Sequence, residues 1–275
     1  MSDCVAIFDA GLGSYLIVDK LRSKHPQVDF LYLADRASFP YGTKTLAELK
    51  VCVYSAIRFL EKFKPQLIIV ASNVPSVTLL SSLTPLFKTP ILGIYPPIQS
   101  ALKHSITGNI GILGVKAMTE SAAIQNYISA QAPLESDIKC FNVSPLVELV
   151  ESGRFLSDEV GTRKAILHSI DNILNQYPMI DTFTLSSTHL PWLNSYFEHA
   201  YPSISFIDPA NDIISSISKL KQGNGILRTM VTVGVDKAFS ISDFKSTLDA
   251  LNLNLVPEVV TIEQVFTPSH DNYSA

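Results

Sequence analysis

The chain has 275 residues, 47% of them apolar and 17% charged, with a formal net charge of −4. That length suffices for two domains or one large one, and so large an apolar fraction can bury a sizeable core, which excludes global disorder. Without a Lys/Arg block, nothing marks a nucleic-acid or anionic-membrane surface.

The opening Met1-Ser2-Asp3-Cys4-Val5 has neither a basic region nor a long apolar stretch, so no signal peptide is read. Apolar runs stop short of the roughly 18 residues a membrane helix needs. Val5–Asp9 reads as a buried strand, and Ile17, Val18 and Leu21 suit one face of a following helix. Gly11 and Gly13 in the turn between them let the backbone approach a ligand or close a tight turn. Position 16 is Leu16, so the third glycine of a dinucleotide fingerprint is missing. Phe30–Ala34 is a second strand. The loop after it carries Phe39-Pro40-Tyr41-Gly42, where the Tyr41 hydroxyl and Gly42 amide are candidate donors and a plain surface turn is the alternative. Thr45 and Glu48 fit a capping box, and Leu49, Val53, Ile57 and Leu60 follow on one helix face. Cys52 falls near that stripe and is expected to be ordinarily buried. Leu67–Val70 and Pro90–Tyr95 are the third and fourth strands.

Pro96-Pro97 marks a boundary, since consecutive prolines stop a strand. Strands near Ile110–Leu113, Ile138–Val143 and Asp181–Leu185 form a second set, and Ser203–Asp208 is expected to return the chain to the first domain. The tail alternates again, with strands over Thr229–Val235 and Glu258–Ile262, a helix over Ser242–Leu251 between them, and disorder expected over Thr267–Ala275. Such alternation implies an α/β fold with parallel sheets covered on both faces. The cysteines (Cys4, Cys52, Cys140) are odd in number and dispersed, as reduced thiols of a cytoplasmic chain would be. His25, His104, His168, His199 and His270 show no ligand spacing, so no metal is expected.

Two similar corners carry the chemistry. Ala71-Ser72-Asn73-Val74-Pro75 and Ser186-Ser187-Thr188-His189-Leu190-Pro191 each follow an apolar strand and lead through proline into a helix. The carboxyl end of a parallel strand is where open α/β sheets bind ligands. Ser187 and His189 also invite a hydrolase reading, or a merely hydrogen-bonded histidine, but Gly-x-Ser-x-Gly is absent. Glu151 reads as a surface carboxylate at a helix end, with an acid beside a cleft as the alternative.

In order, Asp9 with Gly11 and Gly13, Phe39-Pro40-Tyr41-Gly42, Asn73, the Pro145–Gly153 run, and Thr188-His189 with Pro191 resemble the cofactor-independent aspartate/glutamate racemase superfamily, above all the glutamate racemases. The resemblance runs from Val5 to about Glu263. It implies two flavodoxin-like lobes facing one another across a central cleft, here 1–96 plus 208–275 and 97–207. It implies L-/D-glutamate interconversion for peptidoglycan, no cofactor, a small acidic amino acid as ligand and a homodimer. The family sets one thiol on each face of the α-carbon. Ser72 and Ser187 hold those positions here, with Asp9 and His189 as partners. Tyr41, Gly42 and the position of Ala10 would hold the side-chain carboxylate, and Asn73, Thr188 and the positions of Val74 and Val115 the amino-acid end. The family has hydroxyl residues where this chain has Ala10, Val74 and Val115, so the resemblance implies weakened binding and lost two-thiol racemisation, leaving a small-acid pocket or a role carried by the surface. A slow or substrate-shifted racemase using Ser72 and Ser187 is the alternative.

Overall fold

The structure, a computed structural model, describes residues 3–217, 219–234, 241–251, 253 and 255–267. The first sheet has the order β10-β9-β2-β1-β3-β4, from β1 (Val5–Asp9), β2 (Phe30–Ala34), β3 (Leu67–Val70), β4 (Ile91–Gly93), β9 (Leu227–Thr232) and β10 (Glu258–Val260). The second has the order β6-β5-β7-β8, from β5 (Asn109–Gly114), β6 (Asp137–Asn142), β7 (Thr182–Leu185) and β8 (Ser205–Ile207). Every pairing is parallel. The order β2-β1-β3-β4 recurs as β6-β5-β7-β8, so the two serine corners follow equivalent strands.

β1, β2 and β3 are buried along their whole length, which is why they read as unbroken apolar runs. Alternate residues feed two core clusters. Ala6, Phe8, Leu31, Leu33, Ile68 and Val70 pack on one face, and Val5, Ile7, Phe30, Tyr32, Leu67 and Ile69 on the other. The first cluster also takes in Ile112, Met118 and Ile124 from around the second sheet, so apolar packing continues from lobe to lobe. A third cluster around Phe183, Leu185 and Phe197 fills the second lobe.

Two expectations shift. Ser205–Ile207 is not a return segment but the edge strand beside β7, and the chain crosses back after it. Strands four and ten are shorter than their apolar runs, ending at Gly93 and Val260. Val235 and residues 268–275, where a strand end and a disordered tail were expected, lie outside the described residues. No helix among the described residues is long and apolar enough to cross a membrane.

The helix Leu46–Glu61 starts with a complete capping box: the Glu48 amide donates to Thr45 Oγ1 at 3.3 Å and the Thr45 amide to Glu48 Oε2 at 2.8 Å. Thr45→Ala should cost about 1 kcal/mol and lower the melting temperature by about 2–4 °C in calorimetry.

The glycine turn answers to the other lobe. A Cβ on Gly13 would lie 2.4 Å from the Thr188 carbonyl carbon and 2.5 Å from the His189 nitrogen, both backbone atoms. Backbone has no rotamer by which to yield. Gly13→Ala should therefore cost about 3 kcal/mol by overpacking, lowering the melting temperature by roughly 6–12 °C.

Candidate functional site

Ser72 follows β3 by way of Ala71, whose amide donates to the Phe8 carbonyl at 2.9 Å. That contact brings Ser72 beside the end of β1, where Asp9 sits. Ser187 follows β7 by way of Ser186, whose amide donates to the Leu113 carbonyl at 2.8 Å. Both serines line a single cavity of about 1330 Å³. Asp9, Asn73, Val74, Thr188, His189 and Glu151 border the same space, and Ala10, Tyr41, Gly42 and Val115 form more of its wall.

Asp9 touches both corners. Its Oδ1 accepts from the Ala10 amide at 2.7 Å and its Oδ2 from the Thr188 hydroxyl at 3.1 Å. Burial pushes its carboxyl above the usual range, and the His189 charge and hydrogen bonds from Ala10, Ser72 and Thr188 offset only part of that. Asn73 Nδ2 donates to the Ile94 carbonyl at 3.4 Å, while its buried Oδ1 has no partner among the described residues.

Glu151 is no surface carboxylate. It ends the helix Ser144–Glu151 with its side chain only 12% exposed. Its Oε1 lies 2.6 Å from Arg36 Nη1, and its Oε2 accepts from His189 Nε2 at 2.7 Å and the Leu12 amide at 2.9 Å. Burial alone would raise this carboxyl. The His189 hydrogen bond, the Arg36 guanidinium and the Leu12 amide outweigh burial and hold it below its ordinary value. Gly11 leaves room for this contact, since a Cβ there would come within 2.5 Å of the His189 ring.

Other expectations also change. The Tyr41 hydroxyl donates to Asp35 Oδ2 at 2.9 Å, and Asp35 accepts from Thr232 as well. Tyr41 therefore borders the cavity with its hydroxyl already committed. Val115 faces Gly42, 3.5 Å from where a Cβ would stand. Cys52 is buried, as its stripe implies, but it also borders the cavity. Burial pushes its thiol up, against a hydrogen bond from Ser38. No cluster of three or more His, Cys, Asp or Glu among the described residues could hold a metal.

A glutamate racemase from Glaesserella parasuis is 30% identical to this chain over 226 residues, covering 81% of the chain and 82% of that protein. The chain belongs to the glutamate racemase family. Among solved structures, a glutamate racemase isoform from Bacillus anthracis superposes with a TM-score of 0.77 at 20% identity, covering 95% of this chain and 97% of that one. The Escherichia coli glutamate racemase, solved with L-glutamate and the activator UDP-MurNAc-Ala, gives a TM-score of 0.77 at 21% identity, covering 96% and 100%. These two share the α/β fold with two parallel sheets in two lobes. No family model matches the chain.

In this glutamate racemase relative, the residue that sequence reading missed is Arg36. It follows β2 and precedes Phe39, over whose ring its guanidinium sits at 4.4 Å. One buried Arg beside Asp35 was the only local signal; its partner Glu151 lies far along the chain. Removing one partner of a buried ion pair strands the other charge, at about 3–5 kcal/mol. Glu151→Gln should therefore lower the melting temperature by roughly 6–20 °C. The folded carboxyl is depressed, so its stabilisation is complete above the unfolded value of about 4.3 and is lost as pH falls through the folded one. Acid titration of stability should accordingly be flatter in Glu151→Gln than in the parent.

Proposed function

We propose that this member of the glutamate racemase family holds a small acidic amino acid or related acid between Ser72 and Ser187 without efficient two-base racemisation. The observation that carries this reading is that both serines, each at the carboxyl end of an equivalent strand, border one cavity. The Escherichia coli relative, solved with L-glutamate, supports an acidic amino acid as the ligand class. The lobes in this reading are 1–96 with 208–275, and 97–207; the protein is cytoplasmic and homodimeric.

Inverting an α-carbon without a cofactor takes two bases, one on each face. A thiol with an ordinary pKa near 8.5 is readily tuned towards a thiolate. A hydroxyl loses its proton about five units higher, which adds roughly 7 kcal/mol to forming each base. On the barrier that is about five orders of magnitude in rate. Asp9 is pushed towards its neutral form by burial, and His189 Nε2 is engaged by Glu151. Asp9, at least, is therefore a weak base towards Ser72.

Binding is weakened as well. Each hydrogen bond to a charged group is worth about 1.5–3 kcal/mol, and Ala10, Val74 and Val115 offer no side-chain donor. Asn73 Oδ1, buried and unpartnered, and the Thr188 hydroxyl remain as ligand contacts.

The test is solvent exchange. L- and D-glutamate and aspartate are incubated with concentrated protein in D2O, and α-proton loss is followed by NMR. No loss above a Ser72→Ala/Ser187→Ala control is expected, together with a thermal shift from at least one acid in the parent protein. Exchange above the control would establish the working racemase instead.

A further inference from the structure

Among the described residues, the Lys and Arg side chains that line the cavity are Arg36, Lys44 and Lys116. We propose that Lys44 is the cation that receives the distal carboxylate of an acidic ligand, a role the Tyr41 hydroxyl cannot fill. This rests on the reading above for an acid in the cavity and deepens it, since the distal group is then recognised by its charge.

The hydroxyl on this loop is taken. Tyr41 donates to Asp35 Oδ2 at 2.9 Å, in a buried cluster where Thr232 donates to Asp35 Oδ1 at 2.9 Å. Turning it to a ligand would leave a buried carboxyl short of a donor. Arg36 is engaged as well, with Glu151 Oε1 at 2.6 Å and the Ala10 carbonyl at 2.9 Å. Lys116 lies 3.8 Å from Glu120 with its side chain 70% exposed, where attraction to an anion is weak.

Lys44 is held in place by its backbone. It follows the single turn Tyr41–Thr43, and its amide donates to the Tyr41 carbonyl at 3.3 Å. The next residue, Thr45, is fixed by the capping box. The half-buried side chain borders the cavity, and no carboxylate among the described residues lies within ion-pairing distance of it. Glu48, four residues on, gives its Oε2 to the Thr45 amide and hydroxyl at 2.8 and 2.7 Å. Asp35 and Cys52 feel the Lys44 charge, but burial outweighs it and pushes both towards their neutral forms. A cation at a cavity wall without a paired counter-ion draws an anion from solvent.

The surrounding charges orient that anion. Glu148 and Glu151 line the cavity from the second-lobe helix Ser144–Glu151 and disfavour a carboxylate on their side. Across from the loop, Val115 presents only methyl groups, 3.5 Å from where a Cβ on Gly42 would stand. An amide of the same shape gives the Lys44 ammonium an acceptor but no charge, so Lys44 separates a carboxylate from its amide.

The experiment is an NMR titration of 15N-labelled protein at low salt with L- and D-glutamate, L- and D-glutamine, and glutarate. The parent should bind one hand of glutamate about tenfold more tightly than the same hand of glutamine. Lys44→Met, which keeps the apolar stem without the charge, should bring that ratio close to one. Lys44→Arg should restore the preference, and Lys116→Met should keep it. A merely structural Lys44 would shift the melting temperature and leave the ratio alone. Glutamate bound by the parent, with its preference retained in folded Lys44→Met, overturns the assignment and leaves the reading above standing. Equal loss in Lys116→Met also overturns it. Should Lys44→Met not fold, ionic strength decides: the parent's preference should fall as salt rises, and a constant ratio overturns the assignment. Glutarate bound through Lys44 without either glutamate overturns only the amino-acid ligand of the reading above. Binding of none of the five compounds overturns both.

Discussion

One carboxylate joins the two halves of this molecule. Glu151, at the end of a helix in the second lobe, takes the Leu12 amide and the Arg36 guanidinium from the first lobe and His189 from its own. Each group meets a need of the others. The Leu12 amide lies in a turn at the start of a helix, where backbone donors lack internal partners. Arg36 is a buried cation that requires an anion. The imidazole requires an acceptor to fix its proton. Without Glu151, three buried donors on two lobes lose an acceptor at once.

Such a knot contributes little net stability. Desolvating both charges costs about what their attraction returns, and apolar packing of equal volume often does better. Its contribution is geometric. The apolar cluster that runs through Ile112 and Met118 presses the lobes together without fixing their register, because burial is non-directional. The Glu151 contacts are directional. So are the Trp192 indole donating to the Gly13 carbonyl and Thr188 donating to Asp9. Together they seat the second corner on the Gly11–Gly13 turn, and the glycines make that approach possible.

The repeated strand order gives the two corners equivalent places, yet their surroundings differ. Ser72 stands beside Asp9, a carboxyl that burial drives towards neutrality. Ser187 stands two residues from an imidazole backed by an ion pair. The backbone is nearly symmetric across the cavity while the electrostatics are not. A serine hydroxyl ionises far above a thiol, so neither setting makes its serine a ready base.

Periodicity and turn chemistry in the sequence determined the strands β1 to β3, the capped helix and the two corners. These are local matters: buried parallel strands are unbroken apolar runs, and the Thr45–Glu48 cap closes within one turn. The placing of Asp9, Ser72, Asn73, Ser187, Thr188 and His189 around one cavity agrees with the order of motifs along the chain. The tertiary structure alone decided what Gly13, Arg36, Tyr41 and Glu151 do. Gly13 is small for the sake of backbone from the other lobe, the Tyr41 hydroxyl is claimed by Asp35, and Arg36 meets Glu151 across the lobe boundary. A carboxylate at a helix end looks the same in sequence whether water or a guanidinium faces it, because its charge state and partner depend on burial, and burial belongs to the folded chain as a whole.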